Sequence, residues 1–320
     1  MAVYTDVTDE ALTGFLLDYD IGELVAFRGI AEGVENTNFS LRTTGGDFIL
    51  TLYEKRVDPG DLPWFLGLMR HLAAQGISCP LPVAGRDGEA LRQLAGRPAA
   101  ITSFLSGVWP RRVRAEHCRQ LGEAMARLHV AGLSYPAMRP NGLGPQAWPA
   151  LLDRSRERGD RVQDGLVAEL DAALGQILAN WPQAGLPRGQ IHADLFPDNV
   201  FFLGRQLSGV IDFYFACTDL LAYDIAVCLN AWCFEPDWQF NVTKAALLVS
   251  GYESVRKLEA PERAALPVLA QGAAIRFLLT RLHDWLNHPP GAFVTPKDPL
   301  DYLRRLRFHL TAKDAGAYGL

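Results

Sequence analysis

Apolar and polar residues alternate in two different ways along this chain. Up to about residue 105 the apolar residues come in short alternating or continuous runs between Gly, Asn and Asp turns, the pattern of strands. Beyond residue 115 they recur every three or four positions, as Cys118, Leu121, Met125 and Leu128 do, the pattern of helices. A first helix is predicted at about 9–18, capped by Thr8 with Asp9 and Glu10 in its first turn. Strands follow at 24–31, 39–43 and 48–53, then a helix at 61–75 closed by Gly76. Short strands are expected around 81–84 and 89–94, and an apolar strand over 98–105. The helical part reads as 115–131, 166–181, 220–232, 238–257, 261–287 and 298–310, with a mobile tail at 311–320. Pro267 is expected near a kink or a helix start.

One stretch breaks this division. In residues 191–214 the run Val200-Phe201-Phe202-Leu203 turns at Gly204 and returns as 207–211, a hairpin inside the helical part. Its polar residues are placed for chemistry. Asp194 hangs in the preceding loop, Asn199 starts one strand and Asp212 ends the other. Asn and Asp supply the hard oxygens that magnesium prefers when it also binds phosphates. A carboxylate such as Asp194 orients a hydroxyl nucleophile and takes its proton. His192 and His129 read as structural residues beside them.

Composition narrows the partners. The net charge of −5 argues against a nucleic-acid or anionic-membrane surface. Five cysteines with no CxxC pair fit free thiols, and the chain opens without a basic or apolar leader. With no uninterrupted apolar run near the length of a bilayer crossing, a cytoplasmic protein is expected, monomeric or homodimeric, acting on a small molecule.

The pattern His192-x-Asp194-x-x-x-x-Asn199, followed by Asp212-Phe213, resembles the aminoglycoside phosphotransferase and choline kinase superfamily. That resemblance implies a two-lobed α+β kinase-like fold. An antiparallel-sheet lobe at 1–103 would bind ATP, and a mainly helical lobe at 104–320 would carry catalysis and substrate. It implies Asp194 as the catalytic base, Mg2+ on Asn199 and Asp212, and ATP against Asn36, Thr37, Asn38 and Thr51. The backbone of Ser103, Phe104 and Leu105 would be the hinge that reads adenine. Thr51 stands where these folds place a lysine, and the 61–75 helix holds no Glu to pair with one. Lys55, Arg56 and Arg70 are the nearby cations.

Longer segments (33–39, 48–56, 94–101, 191–204, 208–219, 221–235 and 276–287) are similar to the branch of this superfamily whose acceptor is L-homoserine. For that zwitterion, Arg276 or Arg281 is a candidate for the carboxylate. Asp219, Asn230 or Asp284 would take the ammonium, and Tyr214 and Trp232 would wall the pocket. Two alternatives stay open. One is the same transfer to choline, an aminoglycoside or a methylthioribose-type sugar. The other is a nucleotide-binding pseudokinase without turnover.

Overall fold

The computed structural model describes residues 5–30, 36–54, 57–288 and 296–320. Lys55, Arg56 and residues 32–35 of the expected phosphate loop lie outside the described residues. The chain divides into two compact units, residues 1–107 with 208–214, and 108–207 with 215–320.

In the first unit, helix α1 (Asp9–Leu16) starts at Thr8, whose hydroxyl accepts from the Ala11 N–H at 3.2 Å. Five antiparallel strands follow in the spatial order β1-β2-β3-β5-β4. They are β1 (Leu24–Gly29), β2 (Thr37–Thr43), β3 (Gly46–Leu52), β4 (Leu91–Leu94) and β5 (Arg97–Ser103), with helix α2 (Leu62–Ala74) between β3 and β4. In β2, Thr37, Phe39, Leu41 and Thr43 are buried, and the residues between them are not, as a pleated strand with one wet face dictates. Leu41, Leu50 and Leu52 meet Leu12, Phe15 and Leu16 of α1 in one core. Each such leucine contributes about 1.5–3 kcal/mol on burial.

Of the two strands expected across 81–94, only β4 forms. Pro82 makes a single bridge to Thr102, because Pro80 and Pro82 have no N–H to extend a ladder.

The second unit holds α3 (Ala115–Gly132), α4 (Trp148–Asp153), α5 (Leu166–Asn180), β6 (Arg188–Ile191) and β7 (Val200–Leu203). The hairpin partner β8 (Gln206–Val210) runs from this unit into the first. Then come β9 (Cys217–Leu220), α6 (Leu221–Trp232), α7 (Val242–Glu253), α8 (Ala260–Asn287) and α9 (Leu300–Thr311). Helices α3 and α7 touch through Gly122 and Gly251, where a side chain on either would strike the other helix's backbone. Helix α8 is long and apolar enough to cross a membrane, but most of that length is buried inside the unit. Pro267 is accommodated within it, and a capping box between Glu259 and Glu262 starts it.

The expected mobile tail is instead docked. Tyr318 is buried, its hydroxyl 3.0 Å from His309 Nδ1, and Phe240 packs against its ring. An aromatic among small residues, able to bury both ring and hydroxyl, holds the C-terminus down.

Candidate active site

The loop after β6 is held on both sides of its backbone. Asp224, in the first turn of α6 and fully buried, accepts the N–H of His192 at 2.8 Å and of Ala193 at 2.7 Å. Trp232 Nε1 donates to the Leu195 carbonyl at 2.6 Å, and the Arg276 guanidinium donates to the Ala193 carbonyl. This clamp maintains a backbone that the sequence alone disfavours. Ala193 sits at φ 61°, left-handed space that costs a residue with a Cβ about 1–3 kcal/mol. The result fixes where Asp194 leaves the chain.

Burial pushes the Asp224 carboxyl up, but the hydrogen bond from His129 and the charges beside it hold it below its usual range overall. It therefore remains an acceptor for both N–H groups. His129 Nε2 lies 3.0 Å from Asp224 Oδ2, and its Nδ1 is 2.9 Å from the Tyr252 hydroxyl. Arg256 donates to Tyr252 at 3.2 Å and to both oxygens of fully buried Glu262 at 3.0 Å. A paired, buried network thus backs the loop.

Asn199 ends a 3-10 turn, Pro197–Asn199, immediately before β7. Its Nδ2 donates to the Asp194 carbonyl at 2.8 Å and to Asp194 Oδ2 at 3.1 Å. The amide nitrogen is spent on Asp194, so the amide oxygen is the atom left to meet a cation. His192 Nδ1 accepts from the Asp194 N–H at 3.3 Å, the structural role expected for it.

Asp212 follows β8 in the first unit, also in left-handed space at φ 64°. Near it, the Tyr214 and Tyr53 hydroxyls are 2.9 Å apart. Burial pushes the Tyr214 phenol up to about 12, and the Asp212 charge adds to this, so it stays protonated. Thr51 donates to Asn38 Oδ1 at 2.7 Å, which fills the usual lysine position with a neutral pair. Asn36 accepts from the Glu54 N–H at 3.2 Å, and Thr37 donates to Glu54 Oε1 at 2.8 Å. Glu54 also pairs with Arg97 at 3.1 Å. The side chains expected to face phosphates are therefore tied to the sheet. Ser103 is similarly committed, since its N–H and its hydroxyl both bond Leu81 at 2.9 Å. Phe104 and Leu105 follow it beyond the end of β5.

The residues expected around the substrate separate into two kinds. Asp219 accepts from Asn141 and the Leu220 N–H at 2.8 Å and pairs with Arg188 at 3.0 Å. Asn230, fully buried, ties α6 to α8 through the Ala226 and Ala270 carbonyls at 3.0 Å. Trp232 and Arg276 brace the loop that carries Asp194. Of this set, Arg281 has the least structural commitment. Its guanidinium lies 4.4 Å from the Tyr302 ring centroid, and among the described residues its one hydrogen bond is a long 3.5 Å contact to the Asp298 carbonyl.

Sequence reasoning assigned no role to Asp224, although a lone carboxylate in the apolar helix LAYDIAVCLNAW is itself the mark of a buried, paired charge. Arg305 and Tyr302 carried no comparable signal, because Arg304, Arg305 and Arg307 look alike until the helix is placed.

Residues 26–258 match the phosphotransferase enzyme family. Over the full length the chain is similar to homoserine kinases. That of Granulibacter bethesdensis is 67% identical over 320 residues, covering 100% of each chain. That of Bradyrhizobium diazoefficiens is 62% identical, covering 100% of this chain and 98% of its own. Among solved structures, the amicoumacin kinase hAmiN in complex with AMP-PNP, Ca2+ and Ami superposes with a TM-score of 0.70 at 16% identity, covering 94% of this chain and 93% of its own. Choline kinase from Cryptosporidium parvum Iowa II gives 0.64 at 14% identity, with 95% and 94% covered. The solved structures support the expected kinase-like α+β fold, and the homoserine kinases match the chain from end to end.

Proposed function

The chain belongs to the phosphotransferase enzyme family, and on that footing we propose that it moves the γ-phosphoryl group of ATP to the side-chain hydroxyl of L-homoserine, giving ADP and O-phospho-L-homoserine, a step toward threonine. The observation that carries the reading is the Asp194–Asn199 pair, 3.1 Å apart on a doubly clamped loop, in a chain that matches homoserine kinases over its full length. Asp194 orients the acceptor hydroxyl and receives its proton as the new O–P bond forms and the β–γ bridge breaks. The clamp keeps that carboxylate in place, so its positioning precedes substrate binding.

Magnesium fits the donor set. Among the described residues no three His, Cys, Asp or Glu side chains cluster as an all-protein metal cage would need. A phosphate-bound magnesium needs only one or two protein oxygens. Asn199 and Asp212 carry the oxygens that the sequence resemblance assigns to it, and the ion would neutralise charge on the phosphates. Phe104 and Leu105 are the backbone assigned to the adenine edge. A reducing cytoplasm suits the five free, buried thiols.

Coupled ADP release, with ATP and magnesium and with L-homoserine, L-serine, choline or kanamycin as acceptor, tests this. Turnover selective for L-homoserine is expected. Turnover with another acceptor only would overturn the substrate, and none with any would overturn the enzyme.

A further inference from the structure

Three guanidiniums of the second unit gather on one aromatic platform. Phe196, two residues past Asp194, packs on Phe277 with centroids 4.8 Å apart, and Phe277 packs on Tyr302 at 5.3 Å. Arg276 lies over Phe277 at 4.3 Å, Arg281 over Tyr302 at 4.4 Å and Arg305 over Tyr302 at 4.5 Å. Cation–π stacking fixes where such groups lie but leaves their N–H edges to other partners.

Those edges lack an anion. Among the described residues no carboxylate comes within ion-pair distance of Arg276, Arg281 or Arg305. The nearest acids are engaged elsewhere. Asp198 pairs with Lys297 at 3.7 Å, and Asp301 accepts from Trp238 at 3.1 Å and pairs with Arg304 at 3.6 Å. Among the described residues, Nε of Arg305, Nε of Arg276 and the fully buried Tyr302 hydroxyl make no hydrogen bond. Burial holds the Arg281 guanidinium below its usual value, the sign of a desolvated cation. Burial above all raises the Tyr302 phenol, Arg305 and Arg281 lower it, and the Asp194 charge adds a smaller raising effect, which puts the platform within electrostatic reach of that carboxylate. A buried cation without a counter-ion is costly, and a ligand that brings the anion offsets that cost.

We propose that Arg281 and Arg305, with the Tyr302 hydroxyl, form the subsite for the α-carboxylate of the acceptor, so that the site selects hydroxylated α-amino acids over the corresponding amino alcohols. Arg276 has a different role. It is almost fully buried and bonds the Ala193 carbonyl, so it is a positioning residue for the catalytic loop. This assignment rests on the homoserine reading and deepens it.

The test compares L-homoserine with 3-aminopropan-1-ol, which is homoserine with its carboxylate replaced by hydrogen. In the full-length enzyme, Arg305→Met and Arg281→Met should each lower kcat/KM for homoserine about 10- to 150-fold, mostly through KM, the worth of a hydrogen bond to a charged group. For the amino alcohol the same variants should stay within about 3-fold of wild type, so the preference for homoserine collapses. Tyr302→Phe, which keeps the ring, should lose about 10-fold on homoserine alone. Arg276→Gln should lower kcat on both acceptors alike. Arg307→Gln, whose partner Glu169 lies on the surface at 2.7 Å, should change neither. Equal losses on both acceptors in the Arg305, Arg281 and Tyr302 variants would make the platform structural and overturn the subsite. An unchanged homoserine KM in all three would overturn it as well. Wild-type enzyme that ignores homoserine but turns over the amino alcohol would overturn the homoserine reading itself.

Discussion

Buried polar groups are treated in opposite ways in the two units. In the first, Glu54 is saturated. It accepts hydroxyls from Thr5 at 2.6 Å and Thr37 at 2.8 Å and pairs with Arg97 at 3.1 Å. In the second, Arg281 and Arg305 stack on Tyr302 with no carboxylate among the described residues. The first arrangement recovers the desolvation of its charge within the fold. The second leaves that recovery to a small anion. A saturated cluster is therefore expected to matter for stability, and an unsaturated one for binding.

The most damaging substitution leaves both clusters intact and removes the carboxylate on the clamped loop of the second unit. Asp194→Asn should lower turnover about 100- to 10,000-fold while nucleotide binding survives, measured as kcat beside ADP affinity. Wild-type turnover would remove the base assignment. Next comes the exchange between the clusters. Glu54→Gln should lower the melting midpoint by about 2–4 °C, near 1 kcal/mol in a chain of this size, with the homoserine KM unchanged. Arg305→Met should raise KM and leave the midpoint equal or about 2–4 °C higher, since an unpaired cation has gone. A destabilised Arg305→Met would erase the distinction.

A subtler measurement uses pH. Burial pushes His309 down to about 3, so the folded state holds it neutral while the unfolded chain protonates it near its ordinary value. Its contribution to stability is complete above about pH 6.5 and is lost as pH falls toward the folded value, at up to about 1.4 kcal/mol per pH unit. Urea unfolding between pH 7 and 5 should show this slope, and His309→Gln should flatten it. An equal slope in both proteins would assign the acid sensitivity elsewhere.

The hairpin and the meeting of Asp194 with Asn199 were legible because the residues concerned are local in sequence. A strand, a turn and three acceptors within 24 residues announce themselves whatever surrounds them. The surroundings of the residues expected around a substrate were not. Asn230, Trp232 and Asp219 are polar residues in the right segment, but a helical sequence does not say which neighbour receives each side chain. All three bond backbone groups in the structure. The stacking of Arg305 on Tyr302 was invisible for the same reason, since it depends on where the Tyr302 ring lies once the helix is placed. The docked tail escaped because its anchor, Tyr318, finds His309 only after α9 is in place.

The route of the chain through β8 has a bearing on synthesis. Residues 208–214 belong to the first unit, where the Val210 N–H bonds the Ser78 carbonyl at 2.9 Å, Gly209 sits against Leu105, and Tyr214 packs on Tyr53 and Phe65. On the ribosome, residues 1–107 emerge about 100 residues ahead of that segment, a wait of roughly 5–20 s. During that interval the nascent first unit exposes the apolar surface that Tyr214 later covers. A gene fragment ending at residue 107 should therefore yield an insoluble product, and one carrying residues 208–214 on a short linker a soluble one.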